Sequence, residues 1–459
     1  MELPGGKVIT MHSNRRNFLH TALGLSTMTA VGGLSRLGML NAMTQPSGPY
    51  RALVCIFLYG GNDSNNMVVP LDSAGYNNYK SIRAGLALDS ASLIPLDGAK
   101  QFGLHARFSD LKPFLGETAL VANVGTLVHP VTRTQFLQNS APLPSNLFSH
   151  ADQQAEMQTA VPDGLSTTGW AGRLADHMAH SNTGSYPLLV SVAGNARFGV
   201  GNSTHPGAVT PNVAPGLRGF GTDAASQARL TALEALVTQD SLKTDSGAVL
   251  LRQAAKNMGS TLNDSDTLNK ALKTATPLRT AFPNTSIGNQ LNEVAKLIEV
   301  RHALNMNRQI FFCALGGFDT HTSQITDQDR LFSQLSPALA AFYQATEELV
   351  VADQVTTFTE SDFSRTLQPN SNGGSDHAWG SHHIVMGASV KGGKMYGKFP
   401  TIQLNGPDDA GGEGRWIPST SVDQYAATLA QWFGLPVSSL PAVFPNLANF
   451  TGKDVGFFG

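Results

Sequence analysis

The chain has 459 residues, 41% hydrophobic and 14% charged, with a formal net charge of −2. This composition excludes a disordered chain and is enough for a large core, in one big α/β domain with insertions or two closely joined domains. The near-neutral balance gives no electrostatic reason to expect nucleic-acid binding.

In chain order, Asn14-Arg15-Arg16-Asn17-Phe18-Leu19 carries a twin-arginine pattern, followed by a mildly apolar segment rich in Gly, Ala, Ser and Thr. That segment is too polar and too short for a membrane span, so residues 1–47 read as an export signal. A mature domain over 48–459 is then expected in the periplasm or outside the cell, with the twin-arginine export machinery as a partner and no stable membrane span.

Arg51 to Leu58 is a continuous apolar run, as expected of a central parallel strand buried on both faces. It ends in Tyr59-Gly60-Gly61-Asn62-Asp63. Asp63 suits either a ligand at a strand's carboxyl end or a helix N-cap. His105 opens a helical pattern through Leu111 and Leu115. Ala119 to Gly125 reads as the second strand, and Ser149-His150 opens a helix over Ala151 to Gln158. Ser149 is an N-cap or a nucleophile placed where a helix N-terminus would stabilise an oxyanion, with His150 as a base or ligand.

Trp170 to His180 reads as a helix and Tyr186 to Val192 as a strand. From about 222 to 307 the apolar spacing is helical, which predicts a helical insertion. Strand-like runs resume at Gln309 to Leu315, from Leu349 through Val355 to Thr359, and at His383 to Val390. Ser421 to Phe433 reads as a helix with an acidic first turn, ended by Gly434. Cys55 and Cys313 both lie in apolar runs, as buried free thiols or as a disulfide that an oxidising compartment would permit.

Carboxylates and imidazoles recur just past predicted strand ends: Asp63, then Asp319 and His321, then Asp362, then Asp376 and His377. Ligand-binding groups of open parallel sheets gather at such ends. Oxygen and imidazole donors suit a divalent ion, Zn²⁺ or Mg²⁺, Mn²⁺ or Ca²⁺.

Several of these segments resemble one family. They are the signal at Asn14 to Leu19, Phe57-Leu-Tyr-Gly-Gly-Asn-Asp63, Leu147-Phe-Ser-His-Ala-Asp-Gln-Gln154 and Gly316-Gly-Phe-Asp-Thr-His321. Ser361-Asp-Phe-Ser-Arg-Thr366, Gly374-Ser-Asp-His377 and Phe444 to Phe450 complete the set. The chain is identified by them as a member of the uncharacterised bacterial twin-arginine-exported proteins related to the alkaline phosphatase and sulfatase superfamily. The resemblance implies an alkaline-phosphatase-like α/β fold, a parallel sheet sandwiched between helices. It also implies metal ligands at Asp63, Asp319, His321, Asp362, Asp376 and His377. Asp376 is alternatively a group that orients its neighbour. Phe363 stands where the superfamily's second-ligand histidine would be. That change favours a single metal, or a site that binds without turnover.

Two functions follow as expectations. One is an exported metal-dependent hydrolase of phosphate or sulfate esters, small molecules or glycans, with Ser149 as nucleophile, His150 beside it and Arg365 clamping the tetrahedral anion. The other is a catalytically silent envelope protein of the same fold that binds glycan or a protein partner.

Overall fold

The computed structural model describes residues 48–459 other than 97–100, 165, 218 and 222. The twin-arginine pair lies outside the described residues. The architecture is mixed α/β, with a nine-stranded, mainly parallel sheet flanked by helices. In chain order its strands are β1 (Arg51–Tyr59), β2 (Thr118–Gly125), β3 (Leu189–Ser191), β4 (Gly207–Ala208), β5 (Arg308–Gly316), β6 (Val355–Ser361), β7 (Ser381–Met386), β8 (Met395–Tyr396) and β9 (Thr420–Ser421). Their spatial order is β8-β2-β7-β6-β1-β5-β3-β4, with β9 also pairing β2.

β1 is central and pairs in parallel with both β5 and β6. Its residues Ala52 to Leu58 are all buried, which is why the run is apolar without alternation. β7 is the exception to the parallel expectation, running antiparallel to both β6 and β2. Its N-terminal end therefore lies beside the carboxyl end of β6, so the segment preceding β7 reaches the same edge as the loops after β1, β5 and β6.

The helices used below are α1 (Ser73–Arg83), α2 (His150–Thr159), α3 (Trp170–Met178), α4 (Ala224–Ser241), α5 (Val249–Leu272), α6 (Ser286–Glu299), α7 (Gln324–Glu348) and α8 (Val422–Phe433). Trp170 of α3 and Tyr425 of α8 both pack on Phe358 of β6, with ring centroids 5.9 and 6.1 Å away. These contacts seat both helices on one face of the sheet. In the stretch expected to be a helical insertion, α4 and α5 are largely exposed, whereas α6 buries Leu291, Val294, Leu297 and Ile298.

Three expected elements differ in extent. The apolar run from Leu349 splits, because α7 ends at Glu348, Val350 takes a left-handed φ of 55°, and the strand begins only at Val355. The strand expected over Tyr186 to Val192 shortens to β3, and that expected over His383 to Val390 shifts to Ser381–Met386. His105 caps a 3₁₀ segment, Ala106–Glu117, with its Nδ1 accepting from the Arg107 amide at 3.2 Å. Cys55 and Cys313 are buried free thiols. No helix among the described residues is long and apolar enough to cross a membrane.

Candidate metal centre

The loops that follow β1, β5 and β6 meet at one edge of the sheet. Gly60 and Gly61 have φ of 111° and 78°, the left-handed region that glycine adopts without a Cβ clash. A Cβ on Gly60 would stand 2.4 Å from the Asp319 amide nitrogen, and one on Gly61 would stand 2.4 Å from the Phe363 ring. The two glycines thus let the β1 loop lie directly against the loops after β5 and β6.

Three histidines converge there. His150 begins α2, His321 lies past β5, and His377 precedes β7. His150 Nδ1 is 2.7 Å from Asp362 Oδ2, and His321 Nδ1 is 3.0 Å from Asp376 Oδ1. His377 Nδ1 is 2.7 Å from the Phe148 carbonyl oxygen. Ionised carboxylates and carbonyls only accept hydrogen bonds, so each neutral ring carries its proton on Nδ1 and leaves Nε2 unprotonated.

Those lone pairs point into one space. Asp319 Oδ1 lies 3.3 Å from His150 Nε2, 3.1 Å from His321 Nε2 and 3.6 Å from His377 Nε2. His321 and His377 bring their Nε2 atoms to 2.9 Å from each other. Donors about 2.0–2.1 Å from a tetrahedral ion stand about 3.3 Å apart, so the spacing here fits such an ion. His150 Nε2 is moreover buried without a hydrogen-bond partner among the described residues. Donor atoms of His150, Asp319 and His377 all fall within 4.8 Å of one another.

The charges reinforce this arrangement. Burial works to raise the Asp319 carboxyl, but the hydrogen bond and charge of Arg365 outweigh it and hold the group below the usual range. The hydrogen bond to Asp362 raises His150, whereas burial, helped by the positive field of its neighbours, lowers His377. Phe363 is buried, its ring centroid 4.8 Å from His150 and 4.9 Å from His377. It walls off one side of the cluster with apolar surface.

The expected site residues separate into distinct places. Asp319, His321 and His377 come together, joined by His150, whose Nε2 faces the cluster as a donor. Asp362 and Asp376 hold histidine Nδ1 atoms instead of turning toward the shared space. Asp362 is further tied by the Gln154 side-chain amide at 2.7 Å and the Gly60 amide at 3.2 Å.

Asp63 is engaged elsewhere. It caps the short helix Ser64–Met67, forms an ion pair with the fully buried Arg83 of α1, and accepts from Gln324. Both of its oxygens thus accept from protein donors, Oδ1 from the Asn65 amide and Oδ2 from Arg83 and Gln324.

Arg365 is also committed. Its N–H groups are held by the Gly60, Gly61 and Ser375 carbonyls and by the Asp319 carboxylate, and one faces His321 Nε2 at 3.3 Å. At most one donor remains for a substrate anion, so its place is in organising the loops. Ser149 occupies the N-cap of α2 without making a cap hydrogen bond. Its hydroxyl donates to Asp152 Oδ2 at 2.6 Å.

Arg83, the Phe148 carbonyl, Gln154 and Gln324 were not found by sequence reasoning. Only the Gln153-Gln154 pair, separated by two residues from the Ser149-His150 step, carries a local signal. A backbone carbonyl and a distant arginine leave no such trace.

A sheet of this kind, with imidazoles and carboxylates gathered past its strand ends, defines an α/β protein with a candidate metal site. The chain belongs to a family of proteins of unknown function (DUF1501), whose profile matches residues 50–410. Solved structures similar to it include a protein in the alkaline phosphatase superfamily from Vibrio parahaemolyticus, 11% identical, covering 88% of this chain and 71% of that one, at a TM-score of 0.36. Another is a lipoteichoic acid synthase from Listeria monocytogenes, 6% identical, covering 88% and 77%, at a TM-score of 0.36. A third is a sulfatase from Pseudoalteromonas sp., 10% identical, covering 89% and 72%, at a TM-score of 0.34. No curated protein matches the chain.

Proposed function

We propose that the protein is an exported, metal-dependent hydrolase of phosphate or sulfate esters that uses one divalent ion. The observation that carries this reading is the set of three imidazoles, each fixed at Nδ1 and each turning Nε2 toward Asp319, that of His321 also facing an Arg365 N–H at 3.3 Å. Two lone pairs 2.9 Å apart, as in His321 and His377, repel unless a proton or a cation lies between them. His150, Asp319, His321 and His377 would hold the ion. An imidazole-rich set favours Zn²⁺ over the hard, oxygen-seeking Mg²⁺ and Ca²⁺.

When bound, the ion supplies Lewis acidity toward an ester oxygen and lowers the pKa of water. The chain's own residues do the rest. Asp362, Asp376 and the Phe148 carbonyl fix the rings in one tautomer and orientation, which raises their strength as donors. Arg365 holds Asp319 in place and ties the β1 loop to the β5 loop. Phe363 keeps water from one side of the rings. Asp319 and His321 are about half exposed at the side chain, so the site opens to substrate. Asp319, Asp362 and Asp376 face the guanidiniums of Arg365 and Arg415, and Arg415 also pairs with Glu413, so a divalent ion cancels the excess negative charge that would otherwise repel an anionic ester. The motif resemblance points to the same ester class.

The test is metal content by mass spectrometry on protein purified without chelators, followed by turnover of aryl phosphates and aryl sulfates. One zinc per chain, lost in His377→Ala, is the expected result, with turnover abolished by chelation and restored by zinc. A folded protein that takes up no zinc sinks the reading. Metal uptake without turnover of either ester supports the silent binding protein instead.

A further inference from the structure

Because Arg365 is occupied by protein acceptors, an anionic ligand at this centre needs another cation. Arg415 is placed to be that cation. Its Nε donates to the His377 carbonyl at 2.9 Å, one peptide away from a donor imidazole. Its guanidinium lies 5.0 Å over the Phe148 ring, and the Phe148 carbonyl is what holds His377 Nδ1. The arginine is therefore fixed against His377 itself and against Phe148, whose carbonyl orients the His377 ring.

The loop bearing it is rigid. Buried Asp409 accepts from the Gly411, Gly412, Gly414 and Arg415 amides at 3.1–3.2 Å and from the Asn405 amide at 2.8 Å. This closed ring of bonds makes the Gly/Asp-rich loop a preformed frame whose own carboxylate is internally saturated.

The far end of Arg415 remains open. Nη2 pairs with Glu413 Oε2 at 2.7 Å, and the Glu413 side chain is 48% exposed. Nη1 has no hydrogen-bond acceptor among the described residues. An exposed carboxylate on a half-committed guanidinium is a weak partner that a stronger anion can displace.

We propose that Arg415 is the residue that recognises the tetrahedral anion of the substrate, and that Glu413 occupies its place when no ligand is bound. This rests on the metal-centre reading above. The fork of Nη1 and Nη2 matches two oxygens of a phosphate or sulfate group.

The experiment uses the full chain, loaded with zinc and assayed for zinc content first. Inorganic phosphate and, in parallel, sulfate are then titrated calorimetrically into the parent, Arg415→Gln and Glu413→Gln. Loss of a charged hydrogen-bonding partner should weaken binding about tenfold or more in Arg415→Gln. Loss of the competing carboxylate should tighten it about two- to fivefold in Glu413→Gln. Glu413 is an exposed side chain, so its variant reports even where Arg415→Gln folds poorly. Whichever anion shows both shifts is the class recognised. Parent-like affinities with one zinc per chain overturn the anion assignment and leave the metal centre standing. A parent that holds no zinc overturns both.

Discussion

At the scale of single residues, close backbone approach and commitment of polar groups decide what each side chain can do. Gly61 is held by the Phe363 ring, and a methyl there would meet the ring at 2.4 Å in a backbone region that only glycine adopts freely. Gly61→Ala should therefore cost about 1–3 kcal/mol, read as a lowered Tm. An unchanged Tm would mean that the β1 loop is not pinned as described. Ser149 tests a different point. Its hydroxyl is on Asp152 and makes no cap bond, so Ser149→Ala should leave zinc content and turnover per folded molecule near those of the parent. Loss of turnover by orders of magnitude at unchanged stability would instead restore Ser149 as the nucleophile.

At the scale of elements, burial sets two contrasting behaviours. Glu156 on α2 and Asp423 in the first turn of α8 are both buried, and burial raises each carboxyl to about 8. Both Asp423 oxygens lack a hydrogen-bond partner among the described residues. The sign follows from the raised values. The folded chain keeps protons that the unfolded chain releases above its ordinary carboxyl range of about 4. The stability these groups contribute is therefore fully present below about pH 4 and is lost as pH rises toward 8, by up to about 1.4 kcal/mol per pH unit for each group. Denaturant unfolding at pH 5, 6, 7 and 8 should show this decline, and Asp423→Asn should flatten it. Equal slopes in parent and variant would show that Asp423 is ionised in the folded chain.

The α4–α5 pair behaves in the opposite way. α4 buries only Ser226 and Val237, and α5 only Ala255, Leu268 and Ala271, while Leu242 and Leu250 stand exposed. Elements with few buried apolar groups open at low free energy. Amide hydrogen exchange in α4 and α5 should be faster than in β1 and β5 by orders of magnitude. Comparable protection would mean that the pair is covered by something in solution.

At the scale of the whole molecule, export and the metal centre are linked expectations. The twin-arginine route carries folded proteins, which suits a site assembled from loops far apart in sequence. Replacing Arg15 and Arg16 together by lysine should leave precursor in the cytoplasm, followed by fractionation and immunoblotting. Mature protein appearing in the periplasm at the usual level would remove the export reading.

Much of this protein was legible before folding was considered. Long apolar runs gave β1, β2 and β5 because strands buried on both faces have no polar alternation to confuse them. An acidic first turn and the terminating Gly434 gave α8. Residue type at strand ends gave Asp319, His321 and His377, because donor chemistry is carried by the side chain itself.

What only the tertiary structure decided was partnership. Asp63 and Asp319 look alike in sequence, each an acid after a glycine pair near a strand end. Arg83 from a distant helix neutralises the first, and three imidazoles surround the second. Asp362 and Asp376 look like ligands until the histidines that they orient are brought against them. Arg365 looks free to clamp an anion until three carbonyls and Asp319 occupy its donors. The antiparallel turn of β7, invisible to periodicity, carries His377 to the shared edge. Sequence records which chemical groups a chain owns. Which of them remain unsatisfied, and so able to bind something else, depends on contacts between residues 20 to 305 positions apart that only folding creates.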